Sequence, residues 1–302
     1  MPMAAKNRGS NPDGNGIKRL FQAPATGWKA FVKKIRFRLA HDHVQVVAAG
    51  VGFYFFMALF PAVAAAVSLY GLVVEPHEVE RQMARLTMVL PDQARALIDN
   101  FLHGLVAKSD STLSWSFALS TLLSLFSSRQ GISAIFEGVG IAYRTTEARG
   151  FLRKNALQLA FTLGGILIGL LSIGLVAGWP ALVHSLHLPP TASHIIGWGR
   201  WVVLGIILII ALGALYRFAP DRVHPPFAWA TLGPVVATVL WMSGSILFSW
   251  YIHHFGSYDK TYGTLAAVII LLLWLFLTAF IILLGAEINA EQEHERGRLP
   301  RL

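Results

Sequence analysis

The sequence Tyr258-Asp259-Lys260-Thr261-Tyr262-Gly263 leads into residues 264–286, which contain no charged side chain. An α-helix needs roughly 20 consecutive apolar residues to cross the hydrocarbon core of a bilayer. This run is long enough and therefore predicts a transmembrane helix. Tyr258 and Tyr262 stand where an interfacial aromatic belt is expected, and Gly285-Ala286-Glu287 closes the opposite end.

The composition of the whole chain points the same way. The 302 residues are 55% hydrophobic and only 14% charged, whereas soluble domains carry about 25% charged residues. The chain is therefore predicted to be an all-α, polytopic membrane helix bundle. It contains no cysteine, which excludes disulfide frameworks, Cys-ligated zinc and iron–sulfur chemistry.

Hydropathy predicts about six transmembrane helices within a single transmembrane domain, residues 27–290. They are placed at residues 44–74, 112–128, 156–178, 198–216, 227–251 and 262–288. Residues 1–26 are predicted to be a disordered cytoplasmic tail and residues 291–302 a second cytoplasmic tail. Between the first two spans, residues 75–111 predict short amphipathic helices on the outer face.

The distribution of Lys and Arg predicts the orientation. Basic residues concentrate in the N-terminal segment, in residues 129–154, in the turn at 217–222 and in the C-terminal tail. Since cytoplasmic loops carry an excess of Lys and Arg, both termini are predicted to be cytoplasmic. The formal net charge of +9 then follows from topology, and no nucleic-acid partner is predicted.

The segment before the first span has its own pattern. Trp28, Phe31 and Ile35 recur at helical spacing from residue 27 to residue 39, opposite a basic face. This pattern predicts an amphipathic helix on the membrane surface, with the lipid bilayer, and anionic lipid in particular, as its partner.

Several short motifs together resemble the YihY/BrkB-like family of bacterial inner-membrane proteins. They are Ala49-Gly50, Phe53-Tyr54, Leu59-Phe60-Pro61, a Tyr-x-x-x-Pro turn ending at Pro220, Tyr258, Tyr262-Gly263, Trp274 and Gly285-Ala286-Glu287. The resemblance implies a multi-pass protein of the bacterial inner membrane. It implies no particular activity, because the family has no established one, although it has carried a ribonuclease label.

Three ionisable residues close to the hydrocarbon zone are candidate functional groups, since a charge there is costly. They are Arg129, Glu137 and Glu287, and Asn289, two residues after Glu287, is a further candidate. One hypothesis places Arg129 and Glu287 in a common cytoplasm-facing cavity. The alternative is that all three charges mark the borders of spans.

Pro61, Gly233-Pro234 and Ser243-Gly244-Ser245 are predicted to break or soften the first and fifth spans. Broken spans line substrate paths in many transporters. A packing kink that neighbouring helices satisfy is the equally open alternative.

His253, His254 and Asp259 form a weak candidate metal site on the outer side. Their spacing matches no standard site, so no metal and no cofactor is predicted.

The function predicted from these features is a transporter or exporter of an organic solute or lipid-like molecule. The alternative is a non-transporting structural or assembly protein of the envelope. A ribonuclease acting on tRNA is disfavoured, because the cytoplasmic segments offer no cluster of carboxylates or histidines for metal-dependent cleavage. No enzymatic activity is predicted, and association into a homo-oligomer is left open.

Overall fold

The computed structural model describes residues 27–73, 110–185, 190–222, 231–255 and 264–295. These residues form seven α-helices and no strand. The helices are α1 (Trp28–His41), α2 (Val44–Val73), α3 (Asp110–Ala142), α4 (Phe151–Ser185), α5 (Pro190–Phe218), α6 (Leu232–Phe255) and α7 (Thr264–Glu295). The predicted all-α architecture is confirmed.

Helix α7 is the central element of the bundle. It packs against α1, α2, α3, α5 and α6. Helices α2 and α3 form the most extensive helix pair. Helix α4 contacts α3 on one side and α5 on the other. The core contains Val51, Val139 and Leu283, all essentially inaccessible to solvent. Gly52 lets α2 approach α7 closely, because a Cβ atom there would lie 3.1 Å from the backbone nitrogen of Phe276.

Outer faces of the helices are apolar and exposed. On α4, Leu163, Leu167 and Leu170 are more than half exposed, and no atom lies within 4 Å of the position that a Cβ atom would take on Gly165 or Gly169. Leucine side chains this exposed are the expected lipid-facing surface of a membrane helix.

Four segments of the described chain are long and apolar enough to cross a membrane. They are Phe151–Val176, Trp198–Phe218, Leu232–Ile252 and Ala266–Glu295. A fifth is obtained if Trp28–His41 and Val44–Leu59, which meet at a bend of 60°, are counted as one broken span. The membrane bundle is confirmed, whereas the count of six stays a prediction. The predicted tail at 1–26 lies outside the described residues, and so does the segment predicted to form outer helices, 75–111, except for residues 110 and 111, which begin α3.

The breaks predicted in the first and fifth spans are wrong, whereas a softening or packing kink there stays a prediction. Helix α2 continues through Pro61 as a single α-helix, since the loss of one backbone hydrogen bond does not end a long helix by itself. Pro234 is the third residue of α6, where a missing N–H costs nothing. Ser243 and Ser245 donate to the carbonyls of Val239 and Trp241 at 2.8 and 2.7 Å within that same continuous helix.

Four helices, α3, α4, α5 and α7, are longer than the spans predicted for them. α3 has 33 residues, so the short span predicted at 112–128 and the helical stripe that follows it form one element. α7 runs to Glu295, which is five residues into the segment interpreted as a tail, and buries Glu291, Gln292 and Glu293. The acids that end α7 are therefore part of the folded bundle.

One end of the bundle gathers the basic segments, and it is called the basic end below. α1, the turn after α3, the turn after α5 and the C-terminal end of α7 meet there. Arg149 donates to the carbonyls of Phe218 and Ala219 at 3.0 and 2.6 Å, and Lys34 donates to Glu295 at 2.9 Å. The segments predicted to share the cytoplasmic side do share one end, because these contacts require it.

Candidate functional site: a buried charged cluster at the basic end

The basic end holds a network of ionic and polar side chains, called the charged cluster here. Its members are Lys34, Arg38, Tyr143, Arg222, Glu287, Asn289, Glu291, Glu293 and Glu295. Most of them are buried. An ionic network with so little access to water is a candidate functional site in a membrane protein.

Helical spacing on α7 arranges the acids. Glu287, Glu291 and Glu295 recur every four residues and so share one face. Asn289 and Glu293 repeat that spacing on a neighbouring face. The first face contacts α1, and the second contacts the turns that follow α3 and α5.

The charged cluster has two halves, one on each of these two faces of α7. Arg38 is the centre of the first half, which faces α1. Its Nε atom lies 3.2 Å from Oε2 of Glu287, and its Nη1 atom donates to Oε2 of Glu291 at 2.9 Å. Its Nη2 atom donates to the carbonyl of Ala142 at 2.7 Å. One guanidinium therefore ties α1 to α7 and to the end of α3. The rigid planar fork of arginine suits such a three-way contact.

Lys34 extends this half toward solvent. Its Nζ atom lies 3.1 Å from Oε1 of Glu291 and 2.9 Å from Oε1 of Glu295, and its side chain is 41% exposed. The hydrogen bond to the Glu295 carboxylate is the main reason why the pKa of Lys34 is raised. The ionic contacts of this half therefore run from the buried Arg38–Glu287 pair to the solvent-accessible Lys34–Glu295 pair.

Glu287 is the most deeply buried acid of the cluster. Its side chain is 1% exposed, and neither of its carboxylate oxygens has a hydrogen-bond donor in good geometry. Asp42, in the turn that joins α1 to α2, lies close enough to interact with it. Arg38 is the main positive charge that offsets the burial of this carboxylate, and Arg144 adds to it.

Arg222 organises the second half. Its Nη1 atom donates to Oε2 of Glu293 at 2.6 Å, its Nη2 atom donates to the carbonyl of Tyr216 at 2.7 Å, and its guanidinium lies 4.4 Å from the centroid of the Tyr143 ring. Asn289 donates to the Tyr143 hydroxyl at 2.5 Å and to Oε1 of Glu293 at 2.9 Å. Burial raises the pKa of Tyr143 far above its ordinary value, so its hydroxyl stays neutral.

A small polar cavity adjoins this second half. Its volume is about 10 Å³, and Tyr216, Arg222, Thr231, Asn289 and Glu293 are among the residues that line it. That space is about the minimum that admits one water molecule.

Gly285 of the Gly-Ala-Glu motif has a packing role next to the cluster. A Cβ atom at Gly285 would collide with the Tyr216 hydroxyl and with Cβ of Ala237, and one at Gly233 would collide with the backbone carbonyl of Gly285. The Tyr216 hydroxyl donates to the carbonyl of Ile282 at 2.6 Å. These glycines let α6 and α7 cross backbone to backbone, which sets the position of Glu287.

The predicted site residues do not all lie in one site. Glu287 and Asn289 belong to the charged cluster. Arg129 instead donates to Oδ1 of Asn155 at 2.6 Å, which links α3 to α4. Glu137 is exposed and accepts from Ser133 at 3.5 Å. No contact between Arg129 and Glu287 is present, so the charged cluster does not contain the pair predicted to share one cavity.

The remaining predicted residues lie elsewhere. Pro61 is within α2, and Pro220 is buried in the turn after α5. His253 and His254 lie in the last turn of α6, whereas Tyr258, Asp259, Tyr262 and Gly263 are outside the described residues. Within the described ranges, no group of three His, Asp or Glu side chains is placed to hold a metal ion.

The sequence interpretation did not identify Arg38, Arg222, Glu291 or Glu293. The four-residue spacing of acids from 287 to 295 was a usable signal, because it marks a continuing helix with one acidic face. The basic partners could not be found in that way, since they come from distant parts of the chain.

Comparison with known proteins agrees with this architecture. The family described as Virulence factor BrkB matches residues 36–301. The chain is 27% identical to the "Putative ribonuclease-like protein YfkH" of Bacillus subtilis (strain 168), over 90% of this chain and 98% of the relative. It is 28% identical to a "UPF0761 membrane protein" of Tolumonas auensis, over 94% of this chain and 93% of the relative.

A "UPF0761 membrane protein" of Vibrio atlanticus is also 28% identical, over 89% of this chain and 85% of the relative. No solved structure matches the chain. The family match covers most of the sequence, and the two UPF0761 relatives, which are named as membrane proteins, align with the chain over 93% and 85% of their own length. The chain therefore belongs to the Virulence factor BrkB family and is a multi-pass bacterial membrane protein.

Proposed function

We propose that the protein is a transporter of an organic solute or lipid-like molecule, and that the charged cluster is the gate at its basic end. The observation that carries the proposal is the position of Arg38. Its buried contacts with Glu287, Glu291 and the carbonyl of Ala142 join α1, α7 and α3 at one point. Release of this one side chain would break the ionic contacts of α1 with α7 and its hydrogen bond to the end of α3 at once.

The composition of the cluster suits a switch. Buried ion pairs contribute little net stability compared with apolar packing, yet losing one partner is strongly unfavourable. Such a contact is therefore either fully made or fully broken. Exchange of interface ion pairs is a common way to link two conformations of one protein.

Solvent can reach the cluster from one side. Lys34 is partly exposed while Glu287 is buried, so opening could start at the Lys34–Glu295 contact and proceed inward to Arg38. Opening of this kind requires only that α1, a short surface helix, swings away from α7. Helix α7 itself stays packed in the bundle. This geometry supports alternating access at the basic end.

An envelope structural or assembly protein is the second candidate. The same ionic contacts could serve as a permanent clasp between α1 and α7. The two candidates differ in one respect, since a gate must open during function and a clasp must stay closed.

An enzymatic role is not proposed. YfkH carries a ribonuclease-like name, but the acids of the charged cluster lie against Lys34, Arg38, Arg222 and Asn289. Carboxylates used in this way hold helices together, whereas metal-dependent phosphodiester cleavage requires them to face a metal ion.

Crosslinking in proteoliposomes tests the gate. The chain has no cysteine, so Lys34→Cys with Glu295→Cys supplies two unique thiols that a short reducible bis-thiol reagent can join across α1 and α7. Vesicles loaded with a bacterial small-molecule extract and a fluorescent phospholipid analogue report flux. The proposal expects flux in the reduced protein, loss of flux on crosslinking and recovery after reduction.

In the control variant, the same reagent joins two thiols within one helix. Ala30→Cys with Lys34→Cys places both thiols on α1, one turn apart, and should leave flux unchanged. Flux that persists through the α1–α7 crosslink would contradict the gate. No flux of any component, together with envelope proteins that copurify with the protein, would favour the structural role.

A further inference from the structure

We infer that the solvent-facing side of α1 is a binding surface for anionic phospholipid headgroups of the bilayer in which the protein sits. This inference does not depend on the proposed transport function. It rests on how the charges of one helix are divided between its two faces.

The inward face of α1 is occupied. Phe31, Ile35 and Arg38 are buried, and Lys34 is paired with acids of α7. The protein itself therefore satisfies the charges on this side of the helix.

The outward face carries three further bases, Lys29, Lys33 and Arg36. All three are exposed, and no carboxylate within the described ranges forms an ion pair with any of them. At 3.6 residues per turn they lie within an arc of about 60° around the helix axis. They form a compact basic strip that has no acidic partner among the described residues.

Apolar side chains border this basic strip. Trp28 and Val32 are 56% and 52% exposed on one side, and Phe37 is 69% exposed on the other. A row of bases between exposed aromatic and aliphatic groups matches an anionic membrane interface, in which headgroups meet the bases and acyl chains meet the rings. An acidic soluble protein would match the charge but would leave Trp28 and Phe37 without an apolar environment.

The turn after α1 supports this placement. α1 meets α2 at 60°, and His43 at the junction has φ of 48°, a left-handed conformation that is uncommon for a residue other than glycine. The bend turns the helix away from the direction of the span. The basic strip can then lie along the headgroup layer while α2 crosses the bilayer.

Lipid quenching in nanodiscs tests the inference on the full chain. Ala40 is exposed on the same side as the basic strip, and the absence of native cysteine makes Ala40→Cys a unique site for a fluorophore. Discs contain phosphatidylcholine and phosphatidylglycerol in equal amounts, with bromine on one lipid or the other. We expect brominated phosphatidylglycerol to quench at least about twofold more strongly than brominated phosphatidylcholine.

Variants separate headgroup binding from simple proximity to the bilayer. Lys29→Gln, Lys33→Gln and Arg36→Gln together should make the two lipids quench equally, and Lys33→Gln alone should give a partial loss. Arg153→Gln, at an exposed base of α4, is the matched control and should keep the preference. Raising the salt concentration should weaken it, because exposed charges are screened.

Two results would overturn the inference. One is equal quenching by the two lipids in the parent protein, which would mean that the strip has another occupant or none. The other is a preference that survives the triple substitution. Quenching by brominated phosphatidylcholine that is no weaker in the triple variant than in the parent protein shows that α1 still lies at the membrane.

Discussion

The Nε atom of Arg38 lies 3.2 Å from the Oε2 atom of Glu287, and both side chains are almost fully buried. The first residue belongs to the surface helix α1 and the second to the last helix of the bundle. The first and last described helices are thus joined beneath the surface by this contact, in addition to those that Arg38 and Lys34 make with Glu291 and Glu295. Because Glu287 has no hydrogen-bond donor in good geometry, its charge depends on this arginine.

Removal of the guanidinium charge should strongly destabilise the protein. Arg38→Gln leaves Glu287 buried without its counter-charge, which costs about 3–5 kcal/mol, and should lower the melting temperature in neutral detergent. Arg36→Gln removes the same charge from an exposed position two residues earlier and should change stability by less than about 0.5 kcal/mol. Adding Glu287→Gln to Arg38→Gln should recover part of the loss, and a purely additive double variant would contradict the pairing.

Gly285 should tolerate no side chain. Gly285→Ala places a methyl group against the Tyr216 hydroxyl and Ala237, and overpacking of this kind costs about 1–3 kcal/mol. Gly165→Ala is the matched change in open space on α4 and should be neutral or slightly stabilising. Thermal unfolding in detergent measures both, and equal melting temperatures for the two variants would refute the tight crossing of α6 and α7.

The Tyr143 hydroxyl should contribute through a single buried hydrogen bond. Tyr143→Phe removes the oxygen that accepts from Asn289 at 2.5 Å, and the expected loss is about 1 kcal/mol. The ring remains in place below the Arg222 guanidinium, so the cation–π contact should persist. Tyr54→Phe, at an exposed tyrosine, should leave the chemical-denaturation midpoint unchanged. A larger effect at Tyr54 than at Tyr143 would count against the network.

Arg129 should be independent of the charged cluster. Ala290 is fully buried one residue before Glu291, and Ala290→Cys therefore reports opening of the basic end through its rate of reaction with a membrane-impermeant maleimide. Arg38→Gln should raise that rate at least about tenfold, because about 1.4 kcal/mol of easier opening already gives a factor of ten. Arg129→Ala, which breaks only the contact with Asn155, should not. A comparable acceleration by Arg129→Ala would restore the idea of one cavity shared with Glu287.

Local patterns predicted the elements well and their ends poorly. The amphipathic helix before the first span was predicted within about two residues, since apolar spacing and basic flanks are properties of neighbouring positions. The breaks at Pro61 and Pro234 were wrong, because a proline's effect depends on its place in the helix. The helical ending of α7 at Glu295 was missed, since acidic residues after an apolar run also mark a soluble tail.

The sequence alone determined that this protein is a helical membrane bundle with its basic segments on one side. These properties follow from the length of apolar runs and the placement of Lys and Arg, which act on the chain locally or through the bilayer. Only the tertiary structure decided that Glu287 pairs with Arg38, that Asn289 bonds to Tyr143, and that Arg129 stands apart. Those partners are far apart in the chain, and only the packing of α1, α3 and the turn after α5 around α7 brings them within hydrogen-bonding distance.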